Sequence, residues 1–204
     1  MTSSPARNRR ADARRSRAAI LDAATRVLNA EPDAGLEAVA GAAGVTRQTV
    51  YAHFPSRDQL LLAVVERITE EAVAAMDAAD PGSGPAADAL MGMLDAAARV
   101  TGRYPVLLRL ISAHPVTSQA DHDRHTPVAD RIGRVIQRGR QTGDFDDRLP
   151  VDWLVAATIR LGHAASEEQD TGRLSAPAAQ DALRVSLLRM LGATGQADSS
   201  PRRR

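Results

Sequence analysis

An all-α fold is predicted by three features of the 204-residue sequence. Ala, Leu, Val and Arg dominate the composition, apolar residues recur at spacings of three and four, and aromatic side chains make up only 2%. An apolar share of 44% supplies a core for one compact domain or for two small ones sharing a long element.

Residues 1–15 are rich in Ser, Pro, Asn and Arg and are expected to form a disordered basic arm. The first helix is expected from Ser16, with Ile20, Ala24, Val27 and Leu28 as its buried stripe, ending at Pro32 and Gly35. A second, short helix carries Leu36, Val39, Ala40 and Ala43, and Gly44 can close it in the left-handed conformation. Thr46 can then cap a third helix by accepting from orphan backbone N–H groups, and Pro55 stops that helix. Ser56-Arg57-Asp58-Gln59 reads as a capping box that opens a long fourth helix with Leu61, Val64, Ile68, Ala72 and Ala75 on its apolar side.

Pro81-Gly82-Ser83-Gly84-Pro85 is a linker. Further helices are expected at about 86–103, 105–113, 126–142, 151–169 and 176–192, and the tail 194–204 is expected to be disordered.

The net charge of +1 hides an asymmetry: residues 1–57 hold nine Arg against five acids (+4), and the remainder holds 17 against 20 (−3). A localised positive end suits a polyanion. All 26 basic residues are arginine, which also points to compositional bias in the source genome. The absence of cysteine excludes disulfides, thiolate metal sites and cysteine nucleophiles. No signal-peptide-like segment and no run near 18 apolar residues occurs, so a cytoplasmic location and no membrane partner are expected.

The segment Ala43 to Phe54 has two faces. Val45, Val50 and Phe54 anchor it, while Arg47, Gln48, Thr49, Tyr51 and His53 are hydrogen-bonding side chains of the kinds that contact phosphates and base edges. Two short helices around a glycine turn, supported by another helix, make a helix-turn-helix over residues 35–54.

Residues 17–64 resemble the DNA-binding module of the tetracycline-repressor-like (TetR) family of bacterial transcription regulators. The resemblance rests on Arg17-x-x-Ile20-Leu21-x-Ala23-Ala24, Leu36-x-x-Val39-Ala40-x-x-Ala43-Gly44-Val45, Thr49-Val50-Tyr51-x-His53-Phe54 and Ser56-Arg57-x-x-Leu60-Leu61. Arg138-Gly139-x-x-x-Gly143-Asp144-Phe145 and Gly172-Arg173-Leu174 extend it more loosely. Two positions depart from the family pattern: Gly35 stands where Thr or Ser commonly starts the second helix, and Arg57 stands where Lys is usual.

The resemblance implies a helix-turn-helix DNA-binding domain over 16–74 and a helical effector-binding and dimerisation bundle over 75–193. The expected partners are double-stranded DNA, a second copy of the chain and a small-molecule effector, in a ligand-responsive bacterial repressor acting on a palindromic operator. Arg17, Thr46, Arg47, Gln48, Thr49, Tyr51, His53 and Arg57 are the expected DNA-binding residues, with Arg47, Gln48 and Thr49 as base readers.

Met91, Leu94, Leu107, Leu108, Ile111 and Trp153 are expected to line an effector pocket, or to be simply core. Leu154, Ala157, Leu161, Ala165, Leu183, Leu187, Met190 and Leu191 read as a dimer face on the last two helices, or as stripes that close the monomer's own core. Asp121-His122-Asp123-Arg124-His125 is read as an exposed interhelical loop, and no metal or cofactor is expected. No nucleophile elbow, phosphate loop or His-Glu-x-x-His helix is present, so no catalytic residues are expected. A helical interaction module or a small helical enzyme without a DNA-binding role are the rival readings.

Overall fold

A computed structural model describes residues 5–80, 82–112 and 118–193, with side chains described from residue 11 onward and not over 112–123. Among these residues there are nine helices and no strand: α1 (Pro5–Ala30), α2 (Leu36–Ala43), α3 (Arg47–His53), α4 (Arg57–Ala79), α5 (Ala86–Thr101), α6 (Pro105–Ser112), α7 (Ser118–Thr142), α8 (Val151–Asp170) and α9 (Ala176–Met190). Two compact units form: Met1–Glu71 with Val100–Ser118, and Ala72–Arg99 with Gln119–Arg204.

Two starts differ from the sequence expectation. Helix α1 begins at Pro5, so residues 5–15 are helical rather than a disordered arm. Alanine and arginine are both good helix formers, the run contains no interior Gly or Pro, and Pro5 stands at the first helical position, where its missing N–H costs nothing. Helix α7 begins at Ser118, so the expected loop 121–125 lies within a helix and Pro127 is interior to it. Residues 1–4 and the tail 194–204 lie outside the described residues.

In the first unit, Ile20, Ala23, Ala24 and Leu28 of α1 meet Leu36, Val39 and Ala40 of α2, Val50 and Phe54, and Leu60, Leu61, Val64 and Ile68 of α4, all buried. The three- and four-residue spacings put each set on one face. The short helix α6 joins this unit through Asn29, which accepts from the Leu107 N–H (3.2 Å) and donates to the Arg103 carbonyl (3.3 Å), while Arg103 pairs with Glu71 (2.6 Å). Asn29 therefore satisfies one of the orphan donors at the start of α6 with a side chain far back in sequence.

The second unit has a core of Met76, Leu90, Met93, Ile132, Val135, Ile136, Phe145, Leu154 and Leu191. The Phe145 ring packs against the backbone of Gly139 so closely that an added Cβ would overlap Cδ2 of the ring and stand 2.8 Å from the Ala86 Cβ. The adjacent Asp144 carboxylate accepts from the Ala86 N–H (2.8 Å), capping α5 from across the unit. Two planar forks tie α7 to the end of α4: Arg131 to Asp77 (3.0 and 2.9 Å) and Arg138 to Asp80 (3.1 and 2.9 Å). Bidentate geometry of this kind needs arginine rather than lysine.

The Arg138 hydrogen bonds hold the Asp80 carboxyl below its ordinary range, against the opposing pull of partial burial and with help from the Gly82 N–H. A depressed folded-state value means that the pair's contribution is complete above the unfolded Asp value of about 3.9 and is lost as pH falls through the lower folded value. Asp80→Asn is expected to lower stability at neutral pH and to flatten the fall in stability below about pH 4. Urea melts across that range measure both effects.

Candidate nucleic-acid interface

The helix-turn-helix is set by backbone requirements that three residues meet locally. Gly35 is the N-cap of α2 in extended conformation, with no side-chain cap bond, and a Cβ there would meet nothing within 4 Å. Gly44 closes α2 at φ 66° in the left-handed region, which glycine adopts without steric cost. The Gly44 and Val45 N–H groups donate to the Gly41 and Ala40 carbonyls (3.2 and 3.1 Å), satisfying the end of the helix. Thr46 then caps α3, its hydroxyl accepting from the Thr49 N–H (3.1 Å) and lying 2.8 Å from the Thr49 hydroxyl.

Val50 and Phe54 are buried, so α3 is fixed to the unit by one side, while Thr46, Arg47, Gln48 and Tyr51 are exposed. Arg47 lies over the Tyr51 ring (5.4 Å to its centroid) and donates to the Tyr51 hydroxyl (3.3 Å), the i,i+4 pairing of one helical face. Its guanidinium is raised above its ordinary pKa by that hydrogen bond, by the Tyr51 charge and by Glu37, whose carboxylate stands 3.7 Å away on α2. Arg17 of α1 stacks over the Phe54 ring at 5.3 Å, which places a second guanidinium beside the end of α3. His53 is half-buried with its ring 6.3 Å from that of Phe54.

Seven of the eight expected DNA-binding residues therefore lie on α3, at its cap, or against its last anchor. The eighth, Arg57, is half-buried and donates to the Pro32 carbonyl, so it fastens the α1–α2 loop to the start of α4. Glu37 was not expected from the sequence. Its link to Arg47 spans the helix-turn-helix and had no local spacing to reveal it.

The six expected pocket residues divide. Leu107, Leu108 and Ile111 belong to the first unit and Met91, Leu94 and Trp153 to the second. Trp153 is 62% exposed, which corrects its reading as a cavity wall: at the third position of α8 it points away from the buried Leu154 next to it. A groove of about 530 Å³ in the first unit is lined by Asp22, Thr25, Arg26, Arg67, Glu70, Glu71 and Tyr104, with Asp22 and Arg67 paired at 2.5 Å. It is charged, and it shares no residue with the expected pocket.

Of the expected dimer-face residues, Leu154, Leu187 and Leu191 are closed into the second unit's own core, where α8 and α9 pack on each other. Ala157, Leu161, Ala165, Leu183 and Met190 are half-buried. The outer sides of the same helices expose Trp153, Ala156, Ala164, Ala182 and Val185. Among the described residues no group of three or more His, Cys, Asp or Glu side chains is placed to hold a metal ion, and no helix is long and apolar enough to cross a membrane.

A cap-fixed helix held by one apolar side, displaying arginine, glutamine and tyrosine on the other, defines a helix-turn-helix protein. Residues 20–64 match the family of bacterial regulatory proteins described as the tetR family. The chain belongs to the TetR family.

It is 44% identical over 81 residues to the HTH-type transcriptional repressor LfrR of Mycolicibacterium smegmatis, a match that spans 40% of this chain and 43% of the repressor. The crystal structure of LfrR from Mycobacterium smegmatis in complex with proflavine is 29% identical with a TM-score of 0.62, covering 90% of this chain and 98% of that one. A TetR-family regulator from Rhodococcus sp. shares the fold at a TM-score of 0.72 and 21% identity, covering 87% of this chain and 98% of that one.

Proposed function

We propose that the chain is a transcriptional repressor that binds a near-palindromic operator as a homodimer and releases it when a small organic molecule binds its second unit. The observation that carries the reading is the exposed face of α3, with Arg47, Gln48 and Tyr51 outward and Arg17 at its end. Arginine and glutamine suit guanine and adenine edges in a major groove, and Tyr51, His53 and Arg17 suit phosphates. The likeness to a repressor supports the direction of control, and the complex of that repressor with proflavine supports a small-molecule signal.

Two copies are required because one seven-residue reading helix contacts too few base pairs to select a site. A two-fold dimer places two such helices about 34–36 Å apart, or a multiple of that distance, on the duplex. The exposed apolar and small residues on the outer sides of α8 and α9, Trp153, Ala156, Ala164, Ala182 and Val185, suit helix pairing across such an axis. The effector acts only through unequal affinity for the DNA-competent and DNA-incompetent arrangements, and no chemical step is needed. The setting is the bacterial cytoplasm, where the operator is.

The test is a salt titration of binding to DNA flanking the chain's own gene. Affinity is expected to fall steeply and log-linearly with salt, with a slope of about −0.9 for each phosphate neutralised. A flat response, or equal affinity for unrelated duplexes at every salt concentration, overturns the reading.

A further inference from the structure

We propose that His125 of α7 and His163 of α8 form a binding site for a divalent late first-row transition-metal ion, Zn²⁺ above all. The two imidazoles come from different helices of the second unit, 38 positions apart, and their ring centroids lie 5.1 Å from one another with the planes tilted by 58°.

That separation is the one a shared ion requires. A zinc-bound imidazole nitrogen sits about 2.0–2.1 Å from the metal and about 1.2 Å from the centre of its own ring, so two imidazoles at a tetrahedral angle have centres roughly 5.2 Å apart. Parallel stacking would not serve, because both lone pairs cannot then converge on one point; the observed tilt permits it. His125 is half-buried and His163 exposed, so an ion reaches the pair from solvent.

Imidazole is the side chain that Zn²⁺, Cu²⁺ and Ni²⁺ share as a preferred ligand, whereas Mg²⁺ and Ca²⁺ demand oxygen donors. Each ring needs only one nitrogen for the metal, and the other stays available for a hydrogen bond that fixes the tautomer. Among the described residues no third protein ligand of the His, Cys, Asp or Glu type joins the pair. The ion therefore keeps open positions for water or an added ligand, and it clamps α7 to α8.

The experiment uses the full chain freed of metal with a chelator, and two probes. Calorimetric titration with ZnCl₂ is expected to give one ion per chain, with affinity falling at least about tenfold in either His125→Gln or His163→Gln. Co²⁺ is expected to give an intense visible absorption of a four-coordinate site, lost in both variants, while His53→Gln keeps it. Binding should also weaken as pH falls below about 6.5, where imidazoles gain protons. Circular dichroism and the metal-free melting temperature establish that each variant is folded. Zn²⁺ binding that survives in the double variant, or no saturable binding by the wild-type chain, overturns the proposal, and neither result bears on whether the chain binds DNA.

Discussion

The double variant Arg47→Ala/Tyr51→Ala is expected to bind operator DNA about a hundredfold more weakly than wild type at fixed salt, with an unchanged melting temperature. Arg47 and Tyr51 are exposed, and they pair with each other on the outer side of α3 through a 3.3 Å hydrogen bond and a 5.4 Å stacking contact. Removing both takes nothing from the core, where Val50 and Phe54 hold the helix. A well-made arginine contact to a base edge is worth about 1–3 kcal/mol, and loss of the tyrosine removes both a phosphate partner and the surface that orders the guanidinium. The single variant Tyr51→Phe separates the two roles: it keeps the stacking surface and deletes the hydroxyl. Fluorescence anisotropy with a labelled operator measures each affinity. Unchanged binding by the double variant would show that α3 is not the reading element.

Gly139→Ala is expected to destabilise the second unit by about 2–3 kcal/mol, lowering the melting temperature by roughly 4–12 °C. The added methyl overlaps the Phe145 ring and crowds the Ala86 side chain, and both neighbours are themselves buried. The ring cannot simply rotate aside, because the Phe145 N–H is bound to the Gly139 carbonyl (3.0 Å) and the neighbouring Asp144 holds the first turn of α5. Gly143→Ala is the informative comparison: a Cβ there meets nothing within 4 Å, but its φ of 81° makes the penalty purely one of backbone conformation. Differential scanning calorimetry of both variants distinguishes steric overlap from backbone strain. A Gly139→Ala melting temperature equal to wild type would mean that the segment has room to shift.

Features whose physics acts within one helical turn were legible in the sequence. The Thr46 cap, the left-handed Gly44 and the Ser56 hydroxyl accepting from the Gln59 N–H (3.2 Å) all work across three residues or fewer, and each stands where its residue type predicts. Apolar stripes gave the same access to the core positions of α1, α2 and α4.

Contacts between residues distant in the chain were not legible. The hydrogen bond of Arg57 to Pro32 joins positions 25 apart, and the Asn29 contacts join positions 74 and 78 apart. Helices α8 and α9 show a different limit. Each carries apolar residues on more than one side, and periodicity alone does not say which side faces the chain's own core, so Leu154 and Leu187 turned inward while Trp153 turned out. At the N-terminus two sequence signals competed: charge density argued for disorder and alanine content for helix, and the backbone of residues 5–15 follows the alanine.

The capping of α5 by Asp144 sets a timetable for synthesis. The N–H of Ala86 waits for an acceptor made 58 residues later, and at about 5–20 residues per second that is an interval of roughly 3–12 s. Phe145, which packs over Gly139 and Ala86, arrives with the same stretch of chain. In the first unit the start of α6 carries no such delay, since Asn29 is already made when Leu107 emerges. On the ribosome, the unit that bears the reading helix has its distant polar partners in hand by residue 112, whereas the other stays open until the stretch around Phe145 has been added.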